Sequence, residues 1–302
     1  MRTLQMTLSY DGTHYCGWQL QPNGVSVQEI VERALSQFVH QPVRVIASGR
    51  TDAGVHAIGQ VVSFETSSST PCHGFVHGLP RYLPDDVVVH RVEEASPGFN
   101  ARFDAVRKSY RYVIHNHPTR LPFLRSYALW QRNHLNEQSM NEAAEILLGT
   151  HDFRCFETNW PNRSSSVRTV SHARVIRTGG WPIWDLGQAF RESHNGGENF
   201  EPSDRRSPMI AQHSDAITPF VCFDIEADGF LYNMVRAIVG TLIHIGRNRW
   251  AANDMRRIIE SGRRSEAGET APPQGLYLMQ VDYDIKKTED HSEASRDPAK
   301  TR

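Results

Sequence analysis

Ser48-Gly49-Arg50-Thr51-Asp52-Ala53-Gly54-Val55-His56-Ala57 is the stretch on which the reading of the chain turns. It lies between two runs of strand character, Val43 to Ala47 and Gln60 to Thr66, so the pattern predicts a loop. Two glycines in six residues allow backbone angles that a Cβ forbids, and close approach of another chain or a ligand. Between them stand one guanidinium, one hydroxyl and one carboxylate. A turn that only reversed the chain would need no more than Asn-Gly or Asp-Gly. A lone Asp beside small residues ordinarily caps a turn. Arg50, two residues earlier, sets Asp52 apart. An Arg held beside an Asp keeps the carboxylate ionised and aimed, as a nucleophile or base requires.

Outward from this loop the first part of the chain is regular. Leu4, Met6, Leu8 and Tyr10 alternate with polar residues, which predicts a strand with one buried face. Ser26 followed by Glu29 forms a capping box, and Val27, Ile30, Val31, Ala34, Leu35 and Phe38 recur at helical spacing. A short helix over Cys72 to Leu79 and a strand over Val87 to Val92 complete the order strand, helix, strand, strand, helix, strand. The second part repeats it. Lys108 to His115 reads as a strand, Asn136 to Leu148 as a helix stopped by Gly149, and Val167 to Arg177 and Phe220 to Ala227 as strands. Leu231 to Ile245 and Asp254 to Ser261 read as helices and Leu276 to Tyr283 as the last strand.

Two copies of a split β-α-β plan predict an α+β protein of two ferredoxin-like halves with a ligand cleft between them. The boundaries fall at 1–105 for the half carrying Asp52 and at 106–285 for the other. Residues 178–215 hold breakers and polar clusters without a sustained period, which predicts a mobile insertion anchored through Trp181, Ile183, Trp184 and Leu186. Residues 286–302 are charged and small, the composition of a disordered tail.

The loop is part of a longer pattern. Gly49 to Ala57 resembles the signature loop of the A-type tRNA pseudouridine synthases, the TruA family. Tyr10-Asp11-Gly12-Thr13 with Gly17-Trp18-Gln19 resembles the family's opening, and Lys108-Ser109-Tyr110-Arg111-Tyr112 its middle strand. His151-Asp152-Phe153, Met234-Val235-Arg236, and Ala271-Pro272 with Gly275-Leu276 follow in order. The resemblance covers about residues 2–177 and 218–284. It implies the pseudouridine synthase fold, one mostly antiparallel central sheet with the reactive Asp in a central cleft. It further implies isomerisation of uridine to pseudouridine at positions 38, 39 and 40 of the tRNA anticodon arm, and a homodimer in which one tRNA touches both subunits. Asp52 is then the reacting carboxylate and Tyr110 the platform for the target base. One departure stands out: Phe99-Asn100-Ala101-Arg102 has Asn where the family usually has His. An amide hydrogen-bonds but carries no charge, which speaks against a proton-transfer role at that position.

Arg50 and Arg236 are the candidate partners of Asp52. Arg236 sits among Met234, Val235, Ile238 and Val239 on an apolar helix, where Arg is rare unless paired. Leu276 is a candidate pocket wall, and His56 a residue that holds the loop rather than moves protons. The isomerisation involves no redox change and no phosphate transfer, so no cofactor or metal is expected. His73 and His77 stand four apart on a predicted helix without a third ligand nearby, and the four cysteines are scattered with no Cys-x-x-Cys pair. Thiols in a reducing cytoplasm fit that pattern, and no secretory signal or membrane span is visible.

The net charge of −1 hides an asymmetry. Residues 1–105 carry 7 basic and 10 acidic side chains, whereas 106–180 carry 11 and 5. Of 33 basic residues 29 are Arg, whose planar fork suits phosphate and stacks on bases. High Arg use also follows genomic base composition, so charge leans toward a nucleic-acid partner without deciding it. Two other readings compete with this one. An RNA-binding protein that kept the fold without the chemistry is opposed by the intact Asp52 and Arg50. A metal-dependent hydrolase built on Asp52 and His56 lacks the remaining ligands.

Overall fold

The computed structural model describes residues 1–22, 24–158, 165–183 and 218–284. The alternating run near the N-terminus is strand β1 (Arg2–Tyr10), with Leu4, Met6, Leu8 and Tyr10 all buried on one face. Helix α1 (Val27–Val39) starts where the capping box predicts: the Ser26 hydroxyl accepts from the Glu29 amide, 3.2 Å. Its apolar stripe packs on the sheet. Strand β2 is only Ile46–Ala47, and β3 begins at His56 and runs to Thr66. The loop is therefore shorter than its glycines suggest, because His56 and Ala57 are already paired strand residues. Helix α2 (Cys72–Gly78) and strand β4 (Val87–Glu94) follow.

Further along are β5 (Ala105–Asn116), the short β6 (Leu129–Gln131), α3 (Glu137–Glu145) and β7 (Gly149–Asp152). Helix α3 stops three residues before the predicted end, and Gly149, at φ +96°, opens a strand instead of capping the helix. Strands β8 (Val167–Thr178) and β9 (Phe220–Ala227) precede α4 (Met234–Gly246), α5 (Asp254–Ser261) and β10 (Leu276–Tyr283). Of the predicted insertion, Thr178 ends β8, Trp181 meets Phe220 edge-on at 5.5 Å, and Ile183 is buried. Residues 184–215 and the predicted tail lie outside the described residues.

Among the described residues ten strands form one sheet with the order β4-β1-β3-β10-β5-β9-β8-β7, β2 joining β3 and β6 joining β5. The runs β4-β1-β3-β2 and β10-β5-β9-β8 share one antiparallel order, that of a split β-α-β unit used twice. They meet along β3. Its far end pairs with β2 at Val62 and Ser63, whereas its near end pairs in parallel with β10, His56 opposite Tyr277 and Ala57 opposite Leu278. Gly59 allows that join, since a Cβ there would lie 2.5 Å from the Met279 carbonyl oxygen. The main core unites β1, β3, β5, β9 and β10 with the five helices described, and a smaller one on the opposite face gathers Val113, Ala128, Ile183, Phe220, Cys222 and Tyr277. The Asp52 loop opens on the helical face, at the seam.

Candidate active site

The Asp52 loop is held by its backbone and by small polar side chains turned inward. The Ser48 amide donates to Val61 O (2.8 Å) and its hydroxyl to Gln60 Oε1 (2.7 Å), while Gln60 Nε2 donates to Gly49 O (3.0 Å). Thr51 Oγ1 lies 2.7 Å from the Tyr10 hydroxyl, and the Trp18 amide donates to Thr51 O at 3.0 Å. The Val55 amide closes a turn on Asp52 O at 3.1 Å. Ser48, Thr51 and Gln60 are buried, so these bonds satisfy groups that have no access to water. The Asp52 carboxylate is left at the surface of a cleft.

Its partner comes from the other run of strands. Arg236, on the first turn of α4, donates from Nη1 to Asp52 Oδ2 at 3.0 Å, with the two side chains 15% and 22% exposed. Arg236 is itself fixed, donating from Nη1 to Asn233 Oδ1 (2.9 Å) and from Nε to Ala271 O (2.7 Å). Asn233 adopts the left-handed backbone, φ +62°, immediately before the helix, and donates from Nδ2 to Thr158 Oγ1 at 3.1 Å. Asp52 Oδ1 has no hydrogen-bond partner among the described residues. Burial raises the Asp52 pKa above its ordinary value, and the Arg236 charge and hydrogen bond offset only part of that rise. The expectation for Arg50 is corrected here. Arg50 is exposed and ion-paired with none of the described residues, so it does not hold Asp52. Arg50 instead belongs to the lining of the cleft.

Tyr110 and Leu276 line the same cleft, which measures about 1390 Å³. The Tyr110 ring is 8% exposed and packs edge-on against Phe230, 5.0 Å between centroids. Burial above all, with the Tyr10 hydroxyl and the Asp52 carboxylate nearby, pushes the Tyr110 hydroxyl well above its ordinary pKa, so it stays neutral. Leu276, the first residue of β10, is 6% exposed. Trp18, Phe103 and Tyr232 add aromatic surface. The charged lining is Arg50, Arg102, Lys108, Arg168 and Arg236 against Asp52 and Asp228. A cationic, aromatic cleft larger than the roughly 300–1,000 Å³ of small-molecule pockets suits a nucleic-acid strand.

His56 is 2% exposed and engaged at both ring nitrogens. Nδ1 lies 3.1 Å from the Gly12 amide and from Asp11 Oδ1, Nε2 lies 2.9 Å from Ser126 O, and the ring stacks on Tyr277 at 4.8 Å. It anchors the base of the loop, away from the cleft lining. Asn100 Oδ1 accepts from the amides of Arg102 (3.0 Å) and Phe103 (3.2 Å). It shapes the turn that presents those two side chains, a role an uncharged amide fills well. His73 and His77 lie exposed on α2, and no group of three metal-type ligands occurs among the described residues. No helix among them is long and apolar enough to cross a membrane. Sequence reasoning missed Asn233, Lys108 and Arg168. Only Asn233 carried a local signal, an Asn directly before an apolar helix.

A family model described as tRNA pseudouridine synthase matches residues 6–104 and 143–284. The tRNA pseudouridine synthase A of Thermoanaerobacter sp. (strain X514) is 37% identical over 283 residues, covering 94% of this chain and all of the relative. The proteins of that name from Geobacter sulfurreducens and Exiguobacterium sp. are each 39% identical, over 283 and 284 residues, again covering 94% of this chain and 100% and 99% of theirs.

Proposed function

The chain belongs to the tRNA pseudouridine synthase family, and on that premise we propose that Asp52 is the carboxylate with which it isomerises uridine to pseudouridine in tRNA. The observation that carries the assignment is the Asp52–Arg236 pair at 3.0 Å in the cleft, one carboxylate oxygen held and the other without a partner among the described residues.

The reaction breaks the N1–C1′ bond, turns the freed base, joins C5 to C1′ and removes the proton from C5. A carboxylate starts this either by attacking the sugar or base covalently or by taking a ribose proton. Both routes need the group ionised, aimed and shielded from water. Arg236 supplies the countercharge and fixes Oδ2, which leaves Oδ1 to react. Tyr110, with Leu276 beside it, offers a flat apolar floor for a uridine turned out of its stem, an extrusion that costs a few kcal/mol. Arg50 is assigned to the RNA backbone at the cleft wall, on the strength of its exposure and lack of a described ion-pair partner. Two assignments rest on the family pattern alone, tRNA positions 38, 39 and 40 and a homodimer whose subunits share one tRNA, while a cytoplasmic location rests on the scattered cysteines.

Asp52→Asn tests the central assignment. It keeps the shape and removes the charge, so pseudouridine formation should be lost while tRNA affinity stays within a few-fold. Appreciable single-turnover activity of that variant would remove Asp52 from the chemistry.

A further inference from the structure

Lys108 lies two residues before Tyr110 on the same face of β5, about 7 Å along the strand. Its ammonium has three donors and uses one on Ser48 O, at 2.6 Å. Among the described residues it has no carboxylate partner. The same holds for two neighbours that line the cleft with it. Among the described residues the Arg168 guanidinium donates to the carbonyls of Ser165 (3.2 Å) and Val167 (2.6 Å). Arg102 lies over the Phe103 ring, 5.4 Å from its centroid, on the turn shaped by Asn100. Burial and the nearby charges of Arg102 and Arg168 bring the Lys108 ammonium down to about 8. Lys108 on β5, Arg168 on β8 two strands away and Arg102 on the turn before β5 thus share one cleft lining, none of them ion-paired with a described acid, and Asp228 on that lining accepts from the Thr169 amide. Gly49 leaves the ammonium its room, since a Cβ there would approach within 3.2 Å of Nζ.

We propose that Lys108, Arg168 and Arg102 form a phosphate subsite that grips the phosphodiester flanking the target uridine while its base rests on Tyr110. This builds on the proposed function, which supplies the RNA substrate and the place of the base. The like charges that repel one another in the free protein are what a phosphodiester relieves on binding. Placing the grip one nucleotide from Asp52 fixes the sugar, the part of the substrate whose bond must break. Lys108 also braces the Ser48 carbonyl, so backbone capture and the reactive loop share one side chain.

The test uses the full chain and an unmodified tRNA transcript, with tRNA affinity measured against salt concentration. Lys108→Gln and Arg168→Gln should each weaken binding several-fold at moderate salt and lower the salt slope by about 1, with Lys108→Arg keeping the slope. A transcript with a neutral methylphosphonate next to the target uridine locates the contact. On one side of the target it should weaken binding to the wild type but add nothing to the loss in Lys108→Gln. Unchanged slopes in both Gln variants would overturn the proposal, as would fully additive losses with methylphosphonate on either side. If Lys108→Gln does not fold, Arg168→Gln and Arg102→Gln carry the same decision. A wild type that bound the transcript but formed no pseudouridine would instead sink the functional reading beneath it.

Discussion

Arg236 lowers the Asp52 pKa while burial raises it, and burial wins, so the acid side of the pH profile reports on this pair. In the role proposed for it the carboxylate works only when ionised, so activity should be present at neutral pH and fall as pH drops through the folded-state pKa. That limb should lie above the ordinary value of 3.8. Arg236→Gln removes the one lowering influence and should move the limb further up, besides reducing kcat; an unmoved limb in kcat/KM would uncouple the two residues. The sign for stability is opposite to that of a usual salt-bridged Asp. A raised folded pKa means this group's favourable contribution is present below the unfolded pKa and lost as pH rises through the folded one. Asp52→Asn should therefore abolish activity at neutral pH without lowering Tm, and a large fall would mean that the pair stabilises the fold. Tyr110 separates stacking from hydroxyl chemistry. Phe keeps the ring and Ala loses contacts worth roughly 1–3 kcal/mol per base, so kcat/KM should survive in Tyr110→Phe and fall about ten- to a hundredfold in Tyr110→Ala. Equal inactivity of both variants, with the fold unchanged, would bring the neutral hydroxyl into the reaction, at the C5 proton for instance.

The elements that carry these residues differ in how plainly the sequence announces them. Helix α1 is legible because its cap and stripe agree, and β1 and β10 because buried and exposed residues alternate or cluster over their length. Strand β2 is shorter than Val43 to Ala47 suggested: Val43 and Val45 are buried without pairing, a distinction that composition does not encode. At the site, the motif points to Asp52, Tyr110 and Arg236, which the structure gathers in one cleft, whereas Arg50, close to Asp52 in sequence, makes no described ion pair with it. The partner that pairs with Asp52 lies 184 residues away. What positions it is the start of α4. Asn233 accepts the left-handed backbone that costs other non-glycine residues roughly 1–2 kcal/mol, and its amide also holds the guanidinium. The two roles come apart by substitution. Asn233→Gly keeps the backbone and loses the hold, so thermal stability should be nearly retained while kcat falls. Asn233→Ala should lose both. Equal activity of the Gly variant and the wild type would show that the helix alone aims Arg236.

At the scale of the whole molecule the site exists only because two sheet segments are joined at the right height. Asp52 hangs from the run containing β1 and β3, Arg236 from the run containing β5, β9 and β10, and the join between them is the short parallel pairing of β3 with β10. Because β2 occupies one end of that edge of β3 and β10 the other, the loop between β2 and β3 is pinned directly above the seam. The backbones come closest at Gly59, where a Cβ would stand 2.5 Å from the Met279 carbonyl oxygen, an atom that cannot swing aside like a side chain. Gly59→Ala should push the two strands apart. The strain should cost about 1–3 kcal/mol, the range for overpacking a tight site. Misplacement of reacting groups by about 1 Å is enough to lower a rate a hundredfold, so kcat should suffer more than Tm. Gly180→Ala is the matched control, since none of the described residues lies within 4 Å of a Cβ there and both values should stay at wild type. Thermal melts and single-turnover rates on the pair decide the point. If Gly59→Ala melts lower but turns over normally once folded, the seam sets only stability, and the Asp52–Arg236 distance is fixed by the loop and helix themselves.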